Sequence, residues 1–261
     1  MPTDATLSYT NLPGPRRRRR VPRAAFAALA IGVALLAAAA CVPAVRRAFH
    51  PLVLLVRGSK TVDQRVEEFA DARARVKAKC EAAGVPYPPA YVVLLGLKDE
   101  RVIEVYVPAK RGQPRLLASY PIQAASGTLG PKRREGDRQV PEGVYGVASL
   151  NPNSRFHVAL RVDYPSALDR AEAARDGRTN LGGDIMIHGG SASVGCLAMG
   201  DDAAEDLFVL AAMASVEHVR IVIAPVDLRR RALPANLGAP TDERYAEIKE
   251  EMEGLPIASD R

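Results

Sequence analysis

From residue 90 onward the apolar positions recur with a period of two. YVVLLGL (91–97), RVIEVYV (101–107) and RLLASYPI (115–122) are rich in β-branched and aromatic residues, and turn-forming residues separate them. That pattern predicts three strands. RFHVALRV (155–162) alternates cleanly, so Phe156, Val158, Leu160 and Val162 are expected on one face and His157, Ala159 and Arg161 on the other. DIMIH (184–188) predicts a short strand ending at His188, and VRIVIAP (219–225) a last one. Ahead of these strands the period is helical over 60–83, where Val62, Val66, Phe69, Val76 and Cys80 form one stripe. Thr61 and Gln64 have the spacing of a capping box at its start. A second helix is expected up to about residue 215, capped by Asp202 and Glu205. A third fits 241–252, with Tyr245, Ile248 and Met252 as its docking face. No internal repeat is visible. The chain reads as β-rich α+β, with a helix before the strands and further helices after.

The N-terminus obeys a different pattern. Residues 24–45 form an uncharged run, about 22 residues and long enough to cross a bilayer. Five arginines at 16–20 and Arg23 precede it. Basic flanks stay cytoplasmic, which predicts a single-pass helix in the inner membrane with the rest of the chain in the periplasm. Two other readings remain open. AAAAC, ending at Cys41, has the small residues of a lipoprotein processing site but lacks the leucine three positions earlier. Ordinary signal-peptide cleavage is the other. The formal charge is +6, of which residues 1–23 hold +5, leaving +1 for everything after. Basicity this local argues against a nucleic-acid surface on the main domain. The expected organisation is a basic, disordered tail at 1–23, a transmembrane segment at 24–45, a helical linker at 58–85, a catalytic domain at 88–226, and a tail at 227–261 with a short helix.

The chemistry concentrates in IMIHGGSASVGCLAMGDD (185–202). His188 stands eight positions before Cys196 in a chain with four histidines and three cysteines. Cys41 lies in the apolar run, and Cys80 reads as a small core residue. Cysteine attacks as thiolate, and a neighbouring imidazole can take its proton and return it to a leaving amine. Gly189, Gly190 and Gly195 allow the strand carrying His188 to end in a tight loop that brings Cys196 back. Gly195 lets a substrate approach closely, so that backbone N–H groups near Cys196 could point at an oxyanion; such donors are worth about 3–4 kcal/mol. With no acid nearby in sequence, a backbone carbonyl around 189–191 is the expected partner orienting the imidazole. The plain alternative is a surface histidine beside a buried thiol. A metal site built from His188, Cys196, Asp184 or His157 matches none of the zinc spacings. Ser191 and Ser193 lack a G-x-S-x-G context for a serine nucleophile.

The motif SxGC after HG resembles the L,D-transpeptidase catalytic domain, often called the YkuD domain. GPKRREGDRQVPEGVYGV (130–147), NPNSRFHVAL (151–160), GGDIMIHGG (182–190) and SVGCLAMGDD (193–202) are similar to blocks of its YafK-like branch and together span about residues 90–225. The resemblance implies an L,D-transpeptidase-like β-sandwich with flanking helices and a cysteine–histidine site in a cleft. It implies a substrate in peptidoglycan stem peptides, no metal and no organic cofactor. In such enzymes the cysteine attacks the carbonyl of an L-centre next to a terminal D-residue, which leaves. The acyl group then passes to an amine on another stem. Some relatives attach proteins to the wall, and some give the acyl group to water, as a carboxypeptidase or amidase would. By position, Cys196 is the nucleophile and His188 the base, with Ser193, Gly195, Gly189 and Gly190 shaping the loop and oxyanion hole. Many members carry an arginine two residues after the cysteine; here that residue is Ala198, and the His-to-Cys gap is short. Arg155 and His157 are candidates for holding a substrate carboxylate, against the alternative that His157 lies on the outer face of a strand. Lys132, Arg133 and Arg134 form either a solvated loop or a rim attracting an anionic wall polymer.

Overall fold

In the computed structural model, residues 50–52, 54–55, 58–109, 113–235, 237 and 242–258 are described. The expected tail and membrane span at 1–45 lie outside the described residues. Among those that are described, no helix is long and apolar enough to cross a membrane.

The period-two segments become strands β1 (Val92–Leu97), β2 (Val102–Pro108), β3 (Pro114–Pro121), β6 (His157–Val162), β7 (Met186–His188) and β9 (Val219–Ala224). Three further strands join them: β4 (Ala124–Ala125), β5 (Gly143–Ser154) and β8 (Leu197–Ala198). All nine belong to one sheet in the order β3-β2-β1-β9-β5-β6-β7-β8-β4. The two halves share β5. Its first residues pair with β9 and its later ones with β6, with two register shifts along the β6 side.

The two edge strands, β3 and β4, are separated in the chain only by Ile122 and Gln123. A flat nine-stranded sheet would hold its edges roughly 38 Å apart. Three Cα steps reach about 11 Å at most. The sheet must therefore curl until its edges approach, and it does: the Gln123 N–H donates to the Ala198 carbonyl at 2.8 Å and the Ile122 N–H to the Arg101 carbonyl at 2.8 Å. A Cβ on Gly96 in β1 would lie 3.9 Å from the Leu197 side chain in β8, so the halves face each other across the core. The expected sandwich is thus a single curled sheet rather than two separate ones.

Alternation sorts the core. In β9, Val219, Ile221 and Ile223 point into the main core, and Val222 and Ala224 into a second cluster on the outer face. The expected N-terminal helix is two helices, α1 (Val62–Glu68) and α2 (Ala70–Ala83), broken at Phe69, which has φ −84° and ψ 52°. The Thr61–Gln64 capping box is formed. Phe69, Ala72, Val76 and Cys80 all enter the main core, so residues 58–85 are an integral layer rather than a linker. Helix α3 (Ala167–Arg175) was not expected, although Ser166 and Asp169 build a capping box for it. Helix α4 (Asp201–Ala214) begins after Gly200, which has no side-chain cap. Asp202 and Glu205 therefore do not cap it: Asp202 lies in the first turn, where its carbonyl accepts from Arg75, and Glu205 bonds His157. The C-terminal helix α5 (Asp242–Glu253) docks as expected, with Tyr245, Ile248 and Met252 buried in the outer cluster.

Phe156 leaves the apolar row assigned to it. Ser154 pairs with His157, so Arg155 and Phe156 form the two-residue turn of a hairpin. His157 takes φ +78°, and only Val158, Leu160 and Val162 point inward from β6.

Candidate active site

Strands β7 and β8 lie side by side and parallel, with Ile187 opposite Leu197 and His188 opposite Ala198. Ile187 and Leu197 enter the core. Period two then places His188 and Cys196 together on the other face, where both line one cavity of about 170 Å³. The rest of its wall is Phe156, Ala192, Ser193 and Val194. The loop closing this parallel pair is only eight residues long, and it is pinned at both ends. Met199 N–H donates to the His188 carbonyl at 2.8 Å, and Gly200 N–H to the Gly190 carbonyl at 2.9 Å. Asp201 accepts from the Gly190 N–H at 2.8 Å. A Cβ on Gly189 would lie 2.6 Å from Asp201 Oδ1 and 2.7 Å from the Phe156 carbonyl oxygen, so no larger residue fits there.

The imidazole of His188 is buried, 2% exposed, and packed against Phe156, the rings tilted at 32° with centroids 4.5 Å apart. Its Nδ1 lies 2.6 Å from the Gly189 carbonyl oxygen. A carbonyl only accepts, so Nδ1 carries the proton and Nε2 keeps its lone pair. The orienting group is the backbone carbonyl expected near 189–191. Burial pushes the imidazole pKa below its ordinary 6.5, although the Gly189 carbonyl opposes this. Burial also raises the Cys196 thiol above its ordinary 9.0. A hydrogen bond from the Met186 backbone lowers it, Asp184 raises it and the charge of Lys132 lowers it. Burial thus favours the neutral form of each group. Cys196 Sγ donates to the Asp184 carbonyl at 3.6 Å.

The backbone donors of the loop were expected to point at an oxyanion. In this structure those of Gly195 and Cys196 are taken by hydroxyls. Gly195 N–H donates to Ser126 Oγ at 2.5 Å, and Cys196 N–H to Ser193 Oγ at 3.0 Å. Ser193 in turn donates to the Cys196 carbonyl at 2.5 Å, so it clasps that residue from both sides. Gly195 has φ +88°, a backbone shape that glycine adopts without strain. Ser126 was missed in the sequence because it lies 69 positions away, and no local signal ties it to the loop.

The remaining expected site residues stand apart from this cavity. His157 Nε2 is 2.8 Å from Glu205, and its ring packs on Phe69 at 5.4 Å. Arg155 is exposed in the β5–β6 turn. Ala198 is fully buried between β7 and β4, so that position presents no side chain to a substrate. Among the described residues, no three His, Cys, Asp or Glu side chains converge in a metal-holding group.

Residues 91–223 match the profile of the family described as the L,D-transpeptidase catalytic domain, YkuD. YafK of Escherichia coli (strain K12), named after that family, is 41% identical over 123 residues, 46% of this chain and 46% of YafK. The chain thus spans about half the length of the curated relatives it matches. Among solved structures, the helical cell shape determining protein Pgp2 of Campylobacter jejuni shares 23% identity at a TM-score of 0.42, covering 51% of this chain and 47% of its own. L,D-transpeptidase 1 of Mycobacterium tuberculosis shares 17% identity at a TM-score of 0.30, covering 51% of this chain and 62% of its own.

Proposed function

This chain belongs to the L,D-transpeptidase catalytic domain family, and from that premise we propose that Cys196 and His188 transfer an acyl group from peptidoglycan stem peptides. The observation that carries this reading is the imidazole whose Nδ1 is tied to the Gly189 carbonyl, leaving a basic Nε2 in the cavity that Cys196 also lines.

The chemistry runs as follows in this reading. His188 Nε2 takes the thiol proton as Sγ bonds to the carbonyl carbon of the L-centre beside the terminal D-residue. The oxyanion takes over the Cys196 N–H group from the Ser193 hydroxyl, because an anionic acceptor bonds about twice as strongly as a neutral one, while Ser126 keeps Gly195 in place. Collapse breaks the C–N bond, and the departing amine leaves with the proton held by His188. A thioester remains on Cys196. The amine of a second stem then attacks it, gives its proton to Nε2, and releases the thiolate, which takes that proton back. The uncharged run at 24–45 holds the domain on the periplasmic face of the inner membrane.

A second reading gives the thioester to water, releasing a shortened stem or a wall-linked protein. Cys196 is itself only half-buried, which favours it by letting solvent reach the sulfur. The test is to incubate the full chain and its Cys196→Ala form with purified cell-wall sacculi and with defined tetrapeptide stems, and to read products by mass spectrometry. Crosslinked dimers formed only with Cys196 establish transfer to amines. Water incorporated into shortened stems establishes hydrolysis. Identical products from both proteins overturn the assignment.

A further inference from the structure

The segment between β4 and β5 runs directly beside the loop that carries Cys196. A Cβ on Gly195 would lie 3.8 Å from the Arg138 carbonyl carbon and from the Gln139 carbonyl oxygen. On its other side the same segment walls a hollow of about 720 Å³, into which Arg133, Arg134 and Arg178 project beside Thr128, Asp137 and Gln139.

The wall is held from within. Gln139 Nε2 donates to the carbonyls of Thr128 and Gly130, both at 2.6 Å, and its Oε1 accepts from Thr128 N–H at 2.9 Å. Buried Glu142 accepts from Gly130 N–H at 2.6 Å, from Lys98 at 2.9 Å and from Tyr245 at 2.8 Å. A hollow braced this way keeps its shape when empty, which lowers the ordering cost of a ligand.

The acid in its wall, Asp137, and the acids around it are already bonded. Asp137 accepts from Lys132 at 2.5 Å and from the N–H groups of Arg133, Arg134 and Gln139. Asp176 is held by Arg178 at 2.8 and 3.0 Å, and Glu135 accepts from Asn180 at 2.8 Å. Arg133 has a 3.7 Å contact with Asp176. The Arg134 guanidinium makes no hydrogen bond or ion pair with the described residues. The Arg134 guanidinium is therefore left to a ligand, and Arg133 holds only a long, exposed ion pair that a ligand carboxylate can displace.

We propose that this hollow is a carboxylate-binding subsite for the donor peptide, with Arg134 and Arg133 as its cations, an assignment that rests on the peptidoglycan reading above. The guanidinium fork matches a carboxylate at two points. Gln139 lines the hollow and its carbonyl also lies against Gly195, so an extended peptide held at Cys196 can reach the hollow. Only one residue follows the scissile bond, so the carboxylate held here belongs to the retained part of the stem. Lys132, in the same segment, is near enough for its charge to pull the Cys196 thiol pKa down, against the dominant effect of burial.

The test uses the full chain with two tetrapeptide stems, one with its non-terminal carboxyls free and one with them amidated. Thioester formation on Cys196 and steady-state turnover are measured for wild type, Arg134→Ala and Arg133→Ala/Arg134→Ala. The expected result is a KM about tenfold higher for the amidated stem in wild type, with kcat little changed. The double variant is expected to show that raised KM for both stems, with unaltered melting temperature. Arg134→Lys, which keeps the charge but loses the fork, should recover only part of the preference. Wild type that turns over both stems at one KM overturns the subsite and leaves the peptidoglycan assignment standing, as does a double variant that still prefers the free stem. Wild type that acylates neither stem overturns both.

Discussion

Ser126 Oγ accepts the Gly195 N–H at 2.5 Å and donates to the Arg138 carbonyl at 2.8 Å, joining the loop before Cys196 to a segment 69 positions earlier. This bond fixes Gly195, which holds φ +88° beside Cys196. Ser126→Ala is expected to lower kcat about tenfold while leaving KM nearly unchanged, the size of one hydrogen bond of about 1.4 kcal/mol. Ser126→Thr, which keeps the hydroxyl, should retain most of the rate. Steady-state kinetics on a tetrapeptide stem decide it, and an unaltered kcat in Ser126→Ala would remove the residue from the mechanism.

The two described cysteines should separate chemistry from packing. Cys196→Ala is expected to abolish thioester formation without loss of stability. Cys80 is fully buried in the main core. Cys80→Ala should therefore cost about 1 kcal/mol in urea unfolding and leave kcat intact. Thioester trapped on any residue other than Cys196, read by peptide mass spectrometry, contradicts the assignment.

The direction of pH dependence follows from the buried imidazole. The reactive form has Nε2 unprotonated, and burial holds the His188 pKa below 6.5. Activity should therefore persist as pH falls through 6.5 and be lost only at the lower folded value. The acid limb of kcat/KM is expected to have its midpoint below 6.5 and to move upward in Phe156→Ala, where water reaches the ring. A midpoint above 6.5 in wild type would mean that the imidazole is stabilised as a cation, against the geometry.

Phe156 also bears on the acceptor. It covers His188 at 4.5 Å between ring centroids and walls the 170 Å³ cavity. Opening that wall admits water to the thioester. The ratio of hydrolysed to crosslinked product is expected to rise several-fold in Phe156→Ala, measured by liquid chromatography of a reaction with an amine acceptor in fixed excess. An unchanged ratio would show that water enters elsewhere.

Arg244 in α5 tests how the C-terminal helix is held. It is buried, pairs with Asp169 at 2.9 Å and Glu172 at 2.7 Å, and donates to the Glu142 carbonyl at 2.5 Å. Arg244→Met would leave Asp169 charged and buried without its partner. The expected cost is about 3–5 kcal/mol, read by chemical denaturation. A loss below about 1 kcal/mol would place the docking energy in Tyr245, Ile248 and Met252 instead.

The local sequence settled whatever depended on neighbours in the chain. Period-two segments became strands, the Thr61–Gln64 box formed, and the Tyr245, Ile248 and Met252 face docked. His188 and Cys196 were legible as a pair because a short glycine-rich loop joins them, so few folds could separate them. Strand β5 was not among the expected strands: it contains glycines, Pro152 and asparagines, which disfavour a strand, and pairing with β9 on one side and β6 on the other holds it. Phe156 read as core by alternation, yet the two-residue turn moves it over His188. Asp202 and Glu205 had capping-box spacing, but Gly200 starts the helix and Glu205 is drawn instead to His157.

Curling of the sheet decided the rest. It brings β3 and β4 together, carries Ser126 to Gly195, and sets the segment that bears Arg133 and Arg134 beside the Cys196 loop. Side-chain periodicity is a property of a few adjacent residues, whereas curvature is set by the pairing of strands far apart in the chain. The sequence alone could therefore point to the residues proposed to carry the chemistry, and only the tertiary structure could determine what surrounds them.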